Sequence, residues 1–125
     1  VFTPVEIVDF ILRSADDAMQ TAFNISIGDP GVSIIDPFAG TGTFIARLLQ
    51  SGIIPPETFE YKYLHDIFAN EIVLLSYYIA SINIEQVYHQ VRAEHGIEEE
   101  YPNGHFPASR RRRCNSRGIR RFSSK

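Results

Sequence analysis

The sequence predicts an α/β fold: an N-terminal helix, then strand, helix, strand, helix, with the two strands parallel. Three observations predict it. A β-branched run from Val32 to Ile35 closes on an acid and a glycine turn and passes directly into a helical repeat. A second run, Tyr63 to Glu71, also closes on an acid and leads into a long apolar segment, and a one-faced helical repeat precedes both. Strand and helix in alternation call for a parallel sheet with a right-handed crossover.

The first element is "FTPVEIVDFILRSADDAMQTAF". Thr3 is placed to accept from the backbone at Glu6, Pro4 falls where its missing N–H is harmless, and Glu6 completes a capping box, so a helix is expected from Pro4 to near Phe23. Ile7, Val8, Ile11, Leu12, Ala15, Met19, Ala22 and Phe23 share one face, with Asp9, Arg13, Asp16, Asp17 and Gln20 mostly opposite. "NISIGDPG" reads as loop, Asp29-Pro30-Gly31 being a turn, and delivers the chain into a strand expected to be buried. Beyond the glycines Phe44, Ile45, Leu48 and Leu49 repeat at helical spacing, Gly52 is a C-cap, and Pro55-Pro56 bars continuation. The second strand should end near Asn70, followed by the helix "IVLLSYYIASINIEQVYHQV". Residues 1–94 form the expected domain. Residues 95–125 lack an apolar period and are expected to be a disordered basic tail.

Composition narrows the classes of function. A chain of 125 residues, 44% apolar, holds one domain or part of one. The single Cys114 excludes an internal disulfide and any cysteine-cluster zinc site. The longest apolar run, Ile72 to Ile84, is shorter than a membrane span and carries serines and an asparagine; with no basic leader at the start, a soluble cytoplasmic protein without a membrane partner is expected. The net charge of −3 conceals an asymmetry: 4 basic and 15 acidic residues up to Ser109, then 8 basic and no acidic ones. His65, His89, His95 and His105 show no metal-ligand spacing. Tyr77 and Tyr78 read as core or partner surface.

The candidate site is "DPFAGTGT", Asp36 to Thr43. In an open parallel sheet, ligands sit outside the carboxyl ends of the strands, and Gly40 and Gly42 let backbone approach a ligand. A triphosphate-binding loop is disfavoured because no lysine follows the glycines. A dinucleotide fingerprint is disfavoured because position 45 is Ile and Glu71 lies 31 residues beyond Gly40, against roughly 20 in that motif. A ligand with a cationic amino-acid end and an adenosine end fits better, with Asp36 and the glycines at the first and Glu71 on the ribose hydroxyls. That ligand is S-adenosylmethionine. A tight strand-to-helix connection that needs two glycines and binds nothing stays open on spacing alone.

"FTP", "DPFAGTGTF" and "ANEI" occur in the order of the N6-adenine DNA methyltransferases whose cofactor motif X precedes motif I, the gamma arrangement. Over about residues 1–90 the wording most resembles the methyltransferase part of single-polypeptide type I (type ISP) restriction-modification enzymes. The resemblance implies a partial Rossmann-like S-adenosylmethionine-dependent methyltransferase fold. It implies that Phe2, Thr3 and Pro4 lie against the methionine end of the cofactor, that Asp36, Pro37, Phe38, Gly40, Thr41 and Gly42 hold the methionine moiety, and that Glu71 takes the ribose with Ile72 beside adenine. It also implies DNA as partner through the full-length enzyme, and a downstream methyltransferase chain as a possible complement for the apolar sheet edge and helix faces such a piece exposes. The family's Asn-Pro-Pro-Tyr/Phe is absent, since Pro55-Pro56 follows Ile54, and no third motif is found, so no catalytic residue is assigned and this chain alone is not expected to methylate DNA. An RNA or small-molecule methyltransferase, or a noncatalytic assembly remnant, are the alternatives. For the tail with Arg110 to Arg113 three readings stand: a basic arm on DNA phosphates, a solvated end, or text read out of frame.

Overall fold

A computed structural model describes residues 3–97 and the backbone of Arg120 and Arg121. In chain order the elements are α1 (Val5–Phe23), β1 (Ile34–Asp36), α2 (Thr43–Gln50), α3 (Pro56–His65), β2 (Ile67–Ala69), α4 (Leu74–Glu94) and β3 (Arg120–Arg121). β1 and β2 are parallel, with Ile34 opposite Ile67, Ile35 opposite Phe68 and Asp36 opposite Ala69. This mixture of helices and a two-stranded parallel sheet is compatible with a partial α/β fold.

α1 starts one residue later than the capping pattern predicts. Pro4, not Thr3, is the cap: its carbonyl accepts from the N–H groups of Ile7 and Val8, each at 3.1 Å, and no side-chain capping bond forms. A residue before proline is driven to extended backbone, and Pro4 itself keeps an extended ψ of 143°, so the helical ladder begins at the Pro4 carbonyl. The helix closes at Asn24 in the left-handed conformation, its N–H on Gln20 O. Its apolar face is wider than what covers it. Val8 and Leu12 are buried, while Ile7, Phe10 and Ile11 stay exposed.

The expected strand from Val32 is shorter and less buried than its composition suggests. Val32 donates to Asp29 O and remains in the turn, and side chains alternate across the sheet, so Ile67 and Ala69 are buried whereas Ile35, on the other face, is 52% exposed. The prolines at 55 and 56 end one helix and start another. Pro55 is an extended N-cap and Pro56 takes the first helical position. The expected strand from Tyr63 is therefore corrected: Tyr63, Leu64 and His65 are the last turn of α3, and only Ile67–Ala69 is strand. Packing decides it, because the helix puts Phe59 and Tyr63 one turn apart to stack on Tyr88 of α4, at ring-centroid separations of 5.6 and 3.9 Å.

α2 packs between α1 and α4, burying Ile45, Leu48 and Leu49 against Val8 and Ile84. Arg47 adds a two-bond ion pair to Asp9 at 2.6 and 2.9 Å. α4 buries Tyr77, Ala80, Ile84, Tyr88 and Val91 and exposes Leu74, Leu75, Tyr78 and Ile82. The two adjacent tyrosines thus divide between core and surface. No helix among the described residues is long and apolar enough to cross a membrane. The expected disordered tail lies mostly outside the described residues; within it, Arg120 and Arg121 form a strand antiparallel to β2 instead of an unpaired end.

A lysine hidden from the sequence pattern fixes the entry to β1. Lys62 is 0% exposed, and its ammonium donates to Asp29 O at 2.6 Å and to Val32 O, with Asp66 at 3.9 Å. Asp66 in turn accepts from Gly31 N–H at 2.7 Å. Burial pushes the Lys62 ammonium below its ordinary range, and Asp66 and Asp29 oppose that shift. Removing one partner of a buried pair costs roughly 3–5 kcal/mol because the other is left unmatched. Lys62→Met should lower the unfolding free energy in denaturant by about that much; a change below about 1 kcal/mol would show that the clip is dispensable.

Candidate functional site

The two parallel strands end side by side on acids. Asp36 is the last residue of β1, and Glu71 follows β2 by two residues. Their turns are laced by backbone: Asn70 N–H donates to Asp36 O at 2.8 Å, and Ala39 N–H to Asn70 O at 3.0 Å. The Asn70 side chain adds a bond to Pro37 O at 3.2 Å. Glu71 then reaches across the sheet. One carboxylate oxygen accepts from Gly40 N–H and the other from Val73 N–H, both at 2.8 Å.

The two glycines divide the work. Gly42 has φ 84° and packs so closely that a Cβ there would lie 2.9 Å from Ile84 Cδ1 and 3.3 Å from Ala80 Cα. Its N–H closes the turn onto Ala39 O, and its carbonyl opens the ladder of α2 by accepting from Ala46. Gly40, at φ 55°, has nothing within 4 Å of its Cβ position. Gly42 therefore serves packing, and the open space lies over Gly40.

Of the other residues named from sequence, Phe38 and Ile72 are 88% and 93% exposed, two apolar side chains offered to solvent on the two turns. Pro37 is exposed, and Thr41 is half-buried, its carbonyl accepting from Asn83 Nδ2 at 3.0 Å. Thr3 and Pro4 are exposed ahead of α1; no hydrogen bond among the described residues joins them to the Asp36 turn. Phe2 lies outside the described residues, as do Arg110 to Arg113. Sequence reasoning missed Asn70 and Asn83 as builders of the site. Asn83 carried the better signal, a lone amide in an apolar stretch.

Electrostatics set the two acids apart. Asp36 accepts from Phe38 N–H at 3.1 Å on one oxygen, and burial raises its carboxyl above the ordinary range, an effect the Phe38 bond opposes and the Glu71 charge reinforces. Glu71 is held below the ordinary range by the Val73 N–H and then the Gly40 N–H. A cavity of about 250 Å³ opens between α2 and α4, bordered by Thr43, Arg47, Asn83 and Gln86, and it includes neither acid. Among the described residues no three His, Cys, Asp or Glu are placed to hold a metal ion.

Solved structures contain a segment similar to this chain. The chain is similar to the type ISP restriction-modification enzyme LlaGI, solved as a nuclease-deletion mutant in complex with a DNA substrate mimic, at 46% identity over 81% of this chain and 8% of that one, with a TM-score of 0.71. It is similar to the ATP-dependent type ISP restriction-modification enzyme LlaBIII bound to DNA, at 46% identity over 75% of this chain and 7% of that one, TM-score 0.69. A third is DrdV in complex with DNA, at 41% identity over 74% of this chain and 9% of that one, TM-score 0.70. The chain spans less than a tenth of the length of each. No protein-family model matches it, and no curated protein does. The likeness to type ISP enzymes expected from the three motifs is thus found.

The acids should separate on titration. Asp36 should protonate with a midpoint above 3.8 and Glu71 with one below 4.5, read by carboxyl carbon NMR. Glu71, depressed on folding, contributes stability above its unfolded value that is lost as pH falls through its folded one; Asp36 acts in the opposite sense, its burial cost being relieved as it protonates. Glu71→Gln should lower the Asp36 midpoint by removing a like charge. An unmoved midpoint would show that the two carboxylates do not face one site.

Proposed function

We propose that this chain is the S-adenosylmethionine-binding segment of an adenine-specific (N6) DNA methyltransferase belonging to a restriction-modification system. The observation that carries it is the glycine turn after β1, where Gly40 has nothing within 4 Å of its Cβ position and gives its N–H to Glu71 beyond β2. The likeness to restriction-modification enzymes solved with DNA supports the class and supports DNA as the partner of a full enzyme.

Residues are available for both ends of the cofactor. Asp36 has an oxygen with no hydrogen bond among the described residues and carries the charge to meet a cationic amino group. Gly40 and Thr41 bring backbone to the methionine end, with Pro37 and Phe38 at its rim and Gly42 holding the turn in place. Each Glu71 oxygen has accepted one N–H and keeps a second lone pair for a ribose hydroxyl. Exposed Ile72 would supply an apolar face for the adenine, and the resemblance assigns Thr3 and Pro4 to the methionine end. Bound there, the cofactor supplies an electrophilic methyl group. This chain's residues would bind and orient it; acceptors for the adenine amino group and an aromatic platform for the extruded base would come from elsewhere in the enzyme.

One observation favours a second reading. Both Glu71 oxygens are already occupied by the protein's own N–H groups, as a purely structural clasp requires. Calorimetric titration with S-adenosylmethionine separates the two. Saturable binding that weakens at least tenfold in Asp36→Ala is expected of a cofactor site; a folded chain that takes up no cofactor supports the clasp alone.

A further inference from the structure

We propose that the backbone at Arg120 and Arg121 is an edge guard, a short strand that occupies the outer edge of β2 so that no other extended chain pairs there. Backbone groups along a strand point alternately to its two neighbours. On β2 the even-numbered residues point to β1: Asp66 O accepts from Ile34 N–H, Asn70 N–H donates to Asp36 O, and Asn70 O accepts from Ala39 N–H. Ile67 and Ala69 therefore turn their N–H and C=O groups away from β1. Both residues are almost wholly buried, at 1% and 2% exposure. Buried backbone donors and acceptors require partners, and an unguarded edge is a template for pairing with another chain.

β3 meets that requirement at Ala69. It runs antiparallel to β2, with Arg120 opposite Ala69 and Arg121 opposite Phe68. Its place is one residue before Asn70, the residue that laces the two site turns together, so the guard also steadies the end of β2 from which Glu71 projects. This role is independent of any cofactor, since it rests on main-chain pairing alone.

Amide hydrogen exchange on the full-length chain tests it. Proline at position 120 has no N–H to give Ala69 O, whereas alanine keeps one. Arg120→Pro should speed exchange of the Ala69 amide about tenfold, near the effect of losing one hydrogen bond. Arg120→Ala should leave it unchanged, and the Leu48 amide inside α2 should keep its rate in both. Sedimentation should show self-association of the proline variant only. An Ala69 amide indifferent to proline would overturn the proposal. So would equal acceleration by alanine, which would assign the effect to the side chain, or equal acceleration at Leu48, which would assign it to the whole fold.

Discussion

The clasp between Glu71 and Gly40 is the interaction on which the rest depends. A carboxylate at the end of β2 takes an N–H from the turn after β1, a charge-assisted bond that spans 31 residues of sequence. It fixes the glycine turn against the second strand, and through that turn it fixes the start of α2. α2 is the middle helix, packed against α1 on one side and α4 on the other. Without the clasp the turn would be tied to the second strand by Asn70 alone, with Asn83 holding its far end to α4.

The same geometry explains how a small core supports a site. Helices cover one face of the sheet, while Ile35, Phe38 and Ile72 face solvent, and the outer faces of α1 and α4 display Phe10, Leu75 and Tyr78. The chain spans under a tenth of the length of its structural neighbours. Polar contacts fasten the loops to that core: Lys62 seals the loop before β1, and Asp16 accepts from Ser26 and Ile27 to tie the loop after α1 back onto that helix.

Much of this was legible in the sequence because it depends on spacing. The periodicity of Ile45, Leu48 and Leu49, the acid closing each apolar run, and the glycine turn between them all act within one or two turns of chain. What failed depends on partners far apart. Tyr63 reads as strand until Tyr88 is seen stacked on it; Thr3 reads as a cap until the backbone at Pro4 takes over; Lys62 carries no signal in the sequence, and only the fold brings Asp29 and Val32 around its ammonium. In the site, spacing marked both glycines but could not divide them. Only the approach of Ile84 and Ala80 shows that Gly42 is needed for packing and that Gly40 is not.

That division permits a direct test. Alanine at position 40 would place a methyl group in the open space over the turn, at the strain of one left-handed residue, roughly 1–2 kcal/mol. S-adenosylmethionine affinity of a folded Gly40→Ala chain is the measurement to make. The variant should still fold, with stability lost only to that strain, and its affinity should fall at least tenfold. Unchanged affinity in the folded variant would contradict it, because the space over Gly40 would then not be where the ligand lies.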